Sequence, residues 1–391
     1  MTRSNLSPLS SRRIRKRPAR IVDRLAETGC GRVLILTAAV GAGHDGAAYE
    51  LARRLGHHGV DVDVRDWLDA LPGLGRFLAR DCYGPAVQHA PQFFDWLFTG
   101  IEHRRWVRFA VVSFCRLSER TVRRWSAGAD VVVSTYPLSS QTLGRLRVSG
   151  RLEAPAVTFL TDPAAHRLWC HPAVDLHLAV TRATVEDADR YGVVLQAVGA
   201  LTQPRFSQGG NDAERSRVRG ELGVVGTEPM ALISAGSLGL GSVHDTVMAV
   251  LQHPRVQVVV LCGRNEALRR GLAGLPRVIA LGWRDDVPEL MAAADVLIHN
   301  AGGLSFTEAL VAGLPAITYL AIPGHGKANA RVLAGADLAA WPQNPAELAA
   351  AIDNAVLQPR PRHLVAAQRS GPDATAVLLE LLDLNGFAAA G

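Results

Sequence analysis

Short apolar runs bounded by polar turns recur about every 25 residues, and the segments between them carry apolar positions at helical spacing. In the first half the runs are GRVLILTA, VDVDVRDW, DVVVSTY, APAVTFLTD and LHLAVT, followed by a short one from Val194 to Val198. In the second half they are PMALISA, VQVVVLCG, RVIALGW, ADVLIHN and PAITYL. Runs apolar on both faces predict strands covered from both sides. Their alternation with helical segments predicts parallel sheets wound right-handedly. The expected fold class is α/β, with two Rossmann-like, doubly wound parallel-sheet domains.

The chain has 391 residues, more than one core usually supports, so two domains are the default. Residues 1–28 predict a disordered basic arm, because Arg3, Arg12, Arg13, Arg15, Lys16, Arg17 and Arg20 stand among Ser and Pro without an acid. Residues 29–200 predict the first domain, and the Pro, Gly and Gln-rich stretch over 201–212 the linker. The second domain takes 213–391. Residues 76–125 break the strand rhythm with ten aromatic residues interleaved with nine arginines. A pair of ordinary core helices, with the arginines on one face, accounts for this segment as well as an amphipathic lipid-facing surface does.

Charge and cysteine usage narrow the class. The net charge of +6 is carried by arginine, with Lys16 and Lys327 the two lysines, and suits nucleic acid, anionic lipid or a phosphorylated ligand alike. Five cysteines without a C-x-x-C pair argue against a disulfide framework or zinc ribbon and fit a reducing cytosol. No apolar h-region follows the Arg-rich start, and no run is long enough to span a bilayer.

Four glycine-bearing turns carry the candidate chemistry. VGAGHDGAA spells G-x-G-x-x-G at Gly41, Gly43 and Gly46, with Asp61 and Asp63 placed as a dinucleotide fingerprint would have them, so a nicotinamide oxidoreductase enters as a rival. SAGSLGLGS offers Gly236, Ser237, Gly239 and Gly241 at a strand end before a helix, a setting in which backbone amides hold phosphate. HNAGGLSFTEAL opens a helix at Gly302 and Gly303, with Ser305 as a cap and Glu308 one turn on, where a carboxylate suits a neutral diol such as ribose. IPGHGKANA is the fourth. The spacing of His166, Cys170, His171 and His177 also admits a zinc site, as a weak alternative.

The stretch from Leu281 to Trp341 closely resembles the donor half of glycosyltransferase family 28, in particular the diacylglycerol glycosyltransferases and monogalactosyldiacylglycerol synthases. The matching positions are Gly302, Gly303, Ser305, Glu308, Ala309, Leu314, Pro315, Pro323, Gly324, Asn329 and Ala330. In the first half LILTAAVGAGHDGAA, ADVVVSTYPLSS and TDPAAHRLW are similar to the family's G-x-G-His, Ser-x-x-Pro-Leu and Thr-Asp-x-x-x-His-x-x-Trp segments. The resemblance implies a GT-B architecture, two such domains facing a cleft, with a UDP-sugar in the second and the acceptor in the first. It implies an inverting hexosyltransferase using UDP-galactose or UDP-glucose on a lipid such as diacylglycerol.

The same resemblance distributes roles. His44, Asp162 and His166 are the expected catalytic residues, with Asp162 orienting or polarising His166. Gly236, Ser237, Gly239, Gly302, Gly303, Ser305, Glu308, His325 and Asn329 are expected at the donor, and Gly41, Gly43 and Trp169 at the acceptor side. No Asp-x-Asp motif is present and no obligate metal or cofactor is expected. Partners are the UDP-sugar, the lipid and an anionic membrane surface, without nucleic acid; the expected location is cytoplasmic, peripheral on the inner face of the plasma membrane. His325 and Gly326 replace the Gln and Glu that related enzymes direct at the sugar, and Tyr136 stands where many have His. A UDP-N-acetylglucosamine enzyme, a natural-product glycosyltransferase and a non-catalytic UDP-sugar-binding regulator stay open.

Overall fold

The computed structural model describes residues 31–208, 211–224, 228–357 and 371–388. The basic arm over 1–28 lies outside the described residues. The first sheet comprises β1 (Arg32–Thr37), β2 (Asp61–Asp66), β3 (Val131–Ser134), β4 (Ala156–Leu160), β5 (Leu176–Ala179) and β6 (Leu195–Ala197), in the order β2-β1-β3-β4-β5-β6. The second comprises β7 (Met230–Ser234), β8 (Gln257–Leu261), β9 (Val278–Leu281), β10 (Val296–His299) and β11 (Ala316–Thr318), in the order β11-β10-β7-β8-β9. Every pairing is parallel. All eleven strands fall on the apolar runs. Strand order reverses between β1 and β3 in one sheet and between β7 and β10 in the other, and such reversals open a crevice at the carboxyl ends of the strands.

Period-two alternation builds the layers. Val33, Ile35, Val131 and Val133 face one side of the first sheet, with Leu51 and Leu55 of helix α1 (Ala42–His57). Leu34, Leu36 and Val132 face the other, with Trp67, Leu68, Leu143 and Leu146. The second sheet is filled likewise by Val258, Val260 and Ile298 on one face and Leu232, Val259 and Leu297 on the other.

Three features depart from the sequence expectation. Residues 76–125, continued back to Gly73, form five helices: α2 (Gly73–Arg80), α3 (Tyr83–His89), α4 (Pro91–His103), α5 (Arg105–Phe114) and α6 (Arg116–Trp125). The expected linker is partly core, since Phe206 is buried with Val218 and Leu290 of the second domain. The last helix, Ala374–Ala388, does not stay with the second domain, to which 213–391 was assigned. Its Val377, Leu378 and Leu382 pack with Val33, Leu51 and Leu55 on the first sheet, where they complete the apolar layer begun by α1. No helix among the described residues is long and apolar enough to cross a membrane.

Candidate active site

The G-x-G-x-x-G stretch is not a loop. Helix α1 begins at Ala42, so Gly43, His44 and Gly46 all lie in its first turns behind the extended Gly41. A Cβ on Gly46 would come 2.7 Å from Leu304 Cδ2, and one on Gly43 3.6 Å from Leu304 Cβ. These glycines therefore admit a side chain of the second domain, not a pyrophosphate or a substrate. Gly41 faces open space. The helix start is held by Thr37, whose hydroxyl donates to Asp45 Oδ1 at 2.8 Å, placing an acid in the first turn as the helix dipole favours.

His44 sits where β1 and β3 diverge. Its Nδ1 lies 2.8 Å from the Thr135 carbonyl oxygen and 3.0 Å from Thr161 Oγ1. A carbonyl only accepts, so Nδ1 carries the proton and donates it, and Nε2 keeps its lone pair. Tyr136 meets the ring edge-on at 5.2 Å. Burial lowers the His44 pKa below its ordinary 6.5, against the opposing pull of Asp162 and the Thr135 hydrogen bond. The imidazole is thus neutral and able to accept a proton at pH 7.

Asp162 follows β4 and reaches the second domain. Its Oδ1 accepts from Asn329 Nδ2 at 3.1 Å and its Oδ2 from Trp169 Nε1 at 3.2 Å. Burial raises its pKa, but His325, His44, His166 and the Asn329 amide outweigh that and hold it below the usual carboxylate value. The expected Asp162–His166 partnership does not take the form of a hydrogen bond. His166 Nδ1 accepts from Leu168 N at 3.3 Å, its ring meets Phe98 edge-on, and burial pushes its pKa down to about 4.

The second domain supplies the glycine turns on both sides of its strand-order reversal. After β7, Gly236, Gly239 and Gly241 take φ of 68°, 58° and 90°, which side chains other than glycine adopt only under strain. A Cβ on Gly236 would meet nothing within 4 Å, so its backbone is open to a ligand. After β10, Gly302 at φ 87° and Gly303 lead into helix α13 (Leu304–Ala312); here helices α7 to α12 are Pro137–Val148, Arg182–Ala188, Asp212–Glu221, Val243–Val250, Glu266–Leu272 and Val287–Ala293. Its first amides lack intrahelical acceptors, as at any helix start, and sit beside Asp162: a Cβ on Gly303 would lie 3.8 Å from Asp162 Oδ1. Glu308, on the same helix, is partly buried with no hydrogen-bond donor to it among the described residues, and burial pushes its pKa up to about 8. The second domain's third turn, in IPGHGKANA, ends at Gly324, which opens helix α14 (His325–Gly335). His325 there lies between Phe94 and Phe98, at ring distances of 6.1 and 6.5 Å, and burial lowers its pKa while Asp162 opposes.

Two family models match, one on each of the two sheets' domains. Residues 44–200 match the model described as monogalactosyldiacylglycerol (MGDG) synthase, and residues 236–357 the one described as glycosyl transferases group 1. Relatives include a processive diacylglycerol beta-glucosyltransferase of Bacillus subtilis, 28% identical over 76% of this chain and 80% of the relative. The Bacillus pumilus protein of the same name is 26% identical with the same coverage. Among solved structures, MurG of Acinetobacter baumannii superposes with a TM-score of 0.55 at 18% identity, covering 90% of this chain and 99% of that one. The glycotransferase of kitacinnamycin superposes with a TM-score of 0.61 at 16% identity, covering 92% and 100%. The chain is a GT-B glycosyltransferase.

In this glycosyltransferase several expected residues act otherwise than the sequence suggested. Asn329 is fully buried, and both amide hydrogens are spent, one on Asp162 and one on the Ala301 carbonyl at 2.7 Å, while Oδ1 accepts from Ala164 N at 2.9 Å. It staples the two domains and has no donor left for a sugar. Trp169 is fully buried and orients Asp162, so it does not line the acceptor side. Ser305 does not cap its helix; its hydroxyl pairs with Ser234 Oγ at 2.9 Å. Ser237 Oγ accepts from Ala42 N at 3.1 Å, which ties the first donor turn to the start of the His44 helix. The zinc alternative fails, because no three His, Cys, Asp or Glu side chains among the described residues gather to hold a metal.

Thr135, Thr161 and Leu304 were not singled out from the sequence. Thr135 directly follows β3, the strand beside β1, and only the strand order makes it the neighbour of His44. The aromatic segment is half legible: Phe93, Trp106 and Phe109 are 57%, 61% and 66% exposed, whereas Phe94 and Phe98 face the third turn. Trp96 stacks with Phe93 at 5.8 Å, and Arg104 lies over Trp96 at 5.6 Å, so aromatic and cationic groups share one surface.

Proposed function

We propose that this glycosyltransferase moves a hexose from UDP-glucose or UDP-galactose to the hydroxyl of a diacylglycerol, with inversion, at the cytoplasmic face of the plasma membrane. The observation that carries it is the His44 geometry. Nδ1–H is committed to the Thr135 carbonyl and Nε2 is free, beside the junction where Asp162 meets Gly303. His44 Nε2 takes the hydroxyl proton as the acceptor oxygen bonds to the anomeric carbon. The bond from that carbon to the diphosphate oxygen breaks and UDP leaves with the electron pair. The amides at Gly236, Gly302 and Gly303 stabilise the departing charge, so no metal is required. Glu308, which has no protein donor among the described residues and whose charge burial penalises, accepts from the ribose hydroxyls. The relatives' names, processive diacylglycerol beta-glucosyltransferase, support the acceptor. The exposed Phe93, Trp106 and Phe109 beside Arg104 support contact with an anionic lipid surface.

A nicotinamide cofactor would lack its pyrophosphate cradle, since Gly43 and Gly46 are covered by Leu304. The test is calorimetry with UDP and NAD, then incubation with UDP-glucose or UDP-galactose and diacylglycerol in vesicles containing EDTA, with the products' anomeric configuration read by NMR. Binding of UDP alone and a β-hexosyl lipid are expected. NAD binding, no UDP binding, or a product only from UDP-N-acetylglucosamine or a non-lipid acceptor would overturn the proposal.

A further inference from the structure

Helix α4 has two faces. Phe93 and Trp96 point outward, while Phe94, Asp95 and Phe98 meet the third glycine turn of the other domain. Asp95 Oδ1 accepts from Gly324 N at 2.9 Å, and its Oδ2 from Lys327 Nζ at 3.2 Å. Gly324 is the residue before helix α14, at φ 72°, and a Cβ there would lie 2.9 Å from Phe98 Cβ and 3.2 Å from Phe94 Cε1. A helix start has unsatisfied amides and a positive dipole end, which a carboxylate stabilises. Gly324 has no side chain to provide one, so the cap comes from the acceptor-binding domain. One helix earlier, Gln88 Oε1 accepts from Gly241 N at 3.1 Å, so the aromatic helices hold two donor turns.

We propose that Asp95 is a positioning residue for the donor hexose. It holds the Gly324–Lys327 turn against α4, so that His325 is presented to the sugar and affinity for the sugar is set partly from the acceptor-binding domain. The same carboxylate occupies the helix start that a diphosphate would otherwise seek, which leaves the phosphates to Gly236, Gly302 and Gly303. This rests on the proposed function: His325 lies near enough to Asp162 and His44 to act on both electrostatically, which puts the third turn beside the reacting centre.

The experiment compares Asp95→Ala, Asp95→Asn and Lys327→Met with the full-length wild type, by calorimetry with UDP and by steady-state kinetics with UDP-glucose and UDP-galactose. Asp95→Ala should raise KM for the productive UDP-hexose roughly tenfold through loss of the side-chain oxygen that accepts from the Gly324 amide, while leaving the Kd for UDP within about twofold. Asp95→Asn keeps an oxygen for the Gly324 amide and should recover most of the loss. Lys327→Met removes only a half-exposed ion pair and should cost no more than about threefold. Equal losses for UDP and UDP-hexose in Asp95→Ala, an unchanged KM, or no recovery in Asp95→Asn would overturn the inference. A wild type that neither binds UDP nor turns over would instead defeat the proposed function.

Discussion

His44 and Glu308 show how a single environment sets chemistry. Burial lowers the His44 pKa, so its basic form persists below the ordinary 6.5 and is lost only as pH falls through the lowered value. The acid limb of kcat/KM should therefore have its midpoint below 6.5. Asp162→Asn, which removes a charge that raises this pKa, should move the limb further down, and His44→Gln should abolish turnover. A limb at or above 6.5 would remove His44 from the role of base. Glu308 runs the other way. Its folded pKa of about 8 exceeds the unfolded value of 4.5, so its neutral form is favoured on folding and stability falls as pH rises between those values. Glu308→Gln should melt higher than wild type at pH 8, with a much smaller gain at pH 5, and bind UDP roughly tenfold more weakly at pH 9, where Glu308 is ionised, but within about threefold of wild type at pH 6, where it is neutral. Thermal scans and calorimetry with UDP, each at its two pH values, check the pair.

At the scale of elements, apolar periodicity was enough to place all eleven strands, because the central strands are nearly pure apolar runs and the edge strand β2 alternates Val with charged residues. It was not enough for helix α1. Gly41, Gly43 and Gly46 pass the spacing test for a phosphate loop, but glycine spacing states only that something approaches closely, not what. Here it is Leu304, 2.7 Å from a Cβ on Gly46. Gly46→Val should overpack that contact by about 1–3 kcal/mol and reduce activity roughly 5 to 100-fold, and Leu304→Ala should restore much of it. Recovery absent from the double variant would show that the glycine serves some other neighbour. The aromatic helices carry a separate expectation: replacing Phe93, Trp106 and Phe109 by Ser should weaken co-sedimentation with anionic vesicles more than tenfold while UDP affinity holds.

At the scale of the molecule, the domains are joined by specific contacts, among them Asn329 to Asp162 and Ala164, Ser237 to Ala42, Gly241 to Gln88, Asp95 to Gly324 and Lys327, and Leu304 into α1. The last helix adds a covalent return, burying Leu378 and Leu382 in the first core. Leu378→Ala should cost about 2–5 kcal/mol and lower the melting temperature of the first domain, although residue 378 follows the second domain in sequence. A variant that melts like wild type would place this helix outside the cooperative core.

The sequence by itself determined the two parallel sheets, the glycine turns at strand ends and the resemblance that pointed to a UDP-sugar enzyme. These are local properties, written in periodicity and in backbone conformations that only certain residues adopt. What only the tertiary structure decided is which groups meet. Asn329 became a staple and Trp169 an anchor for Asp162; His166 turned to a backbone amide, and Thr135 fixed the His44 tautomer. The Asn329 and Thr135 contacts depend on the approach of two domains and on strand order, and a hydrogen-bond partner 91 or 165 residues away leaves no trace in local pattern; the Trp169 and His166 contacts lie within one loop, whose path no periodicity states.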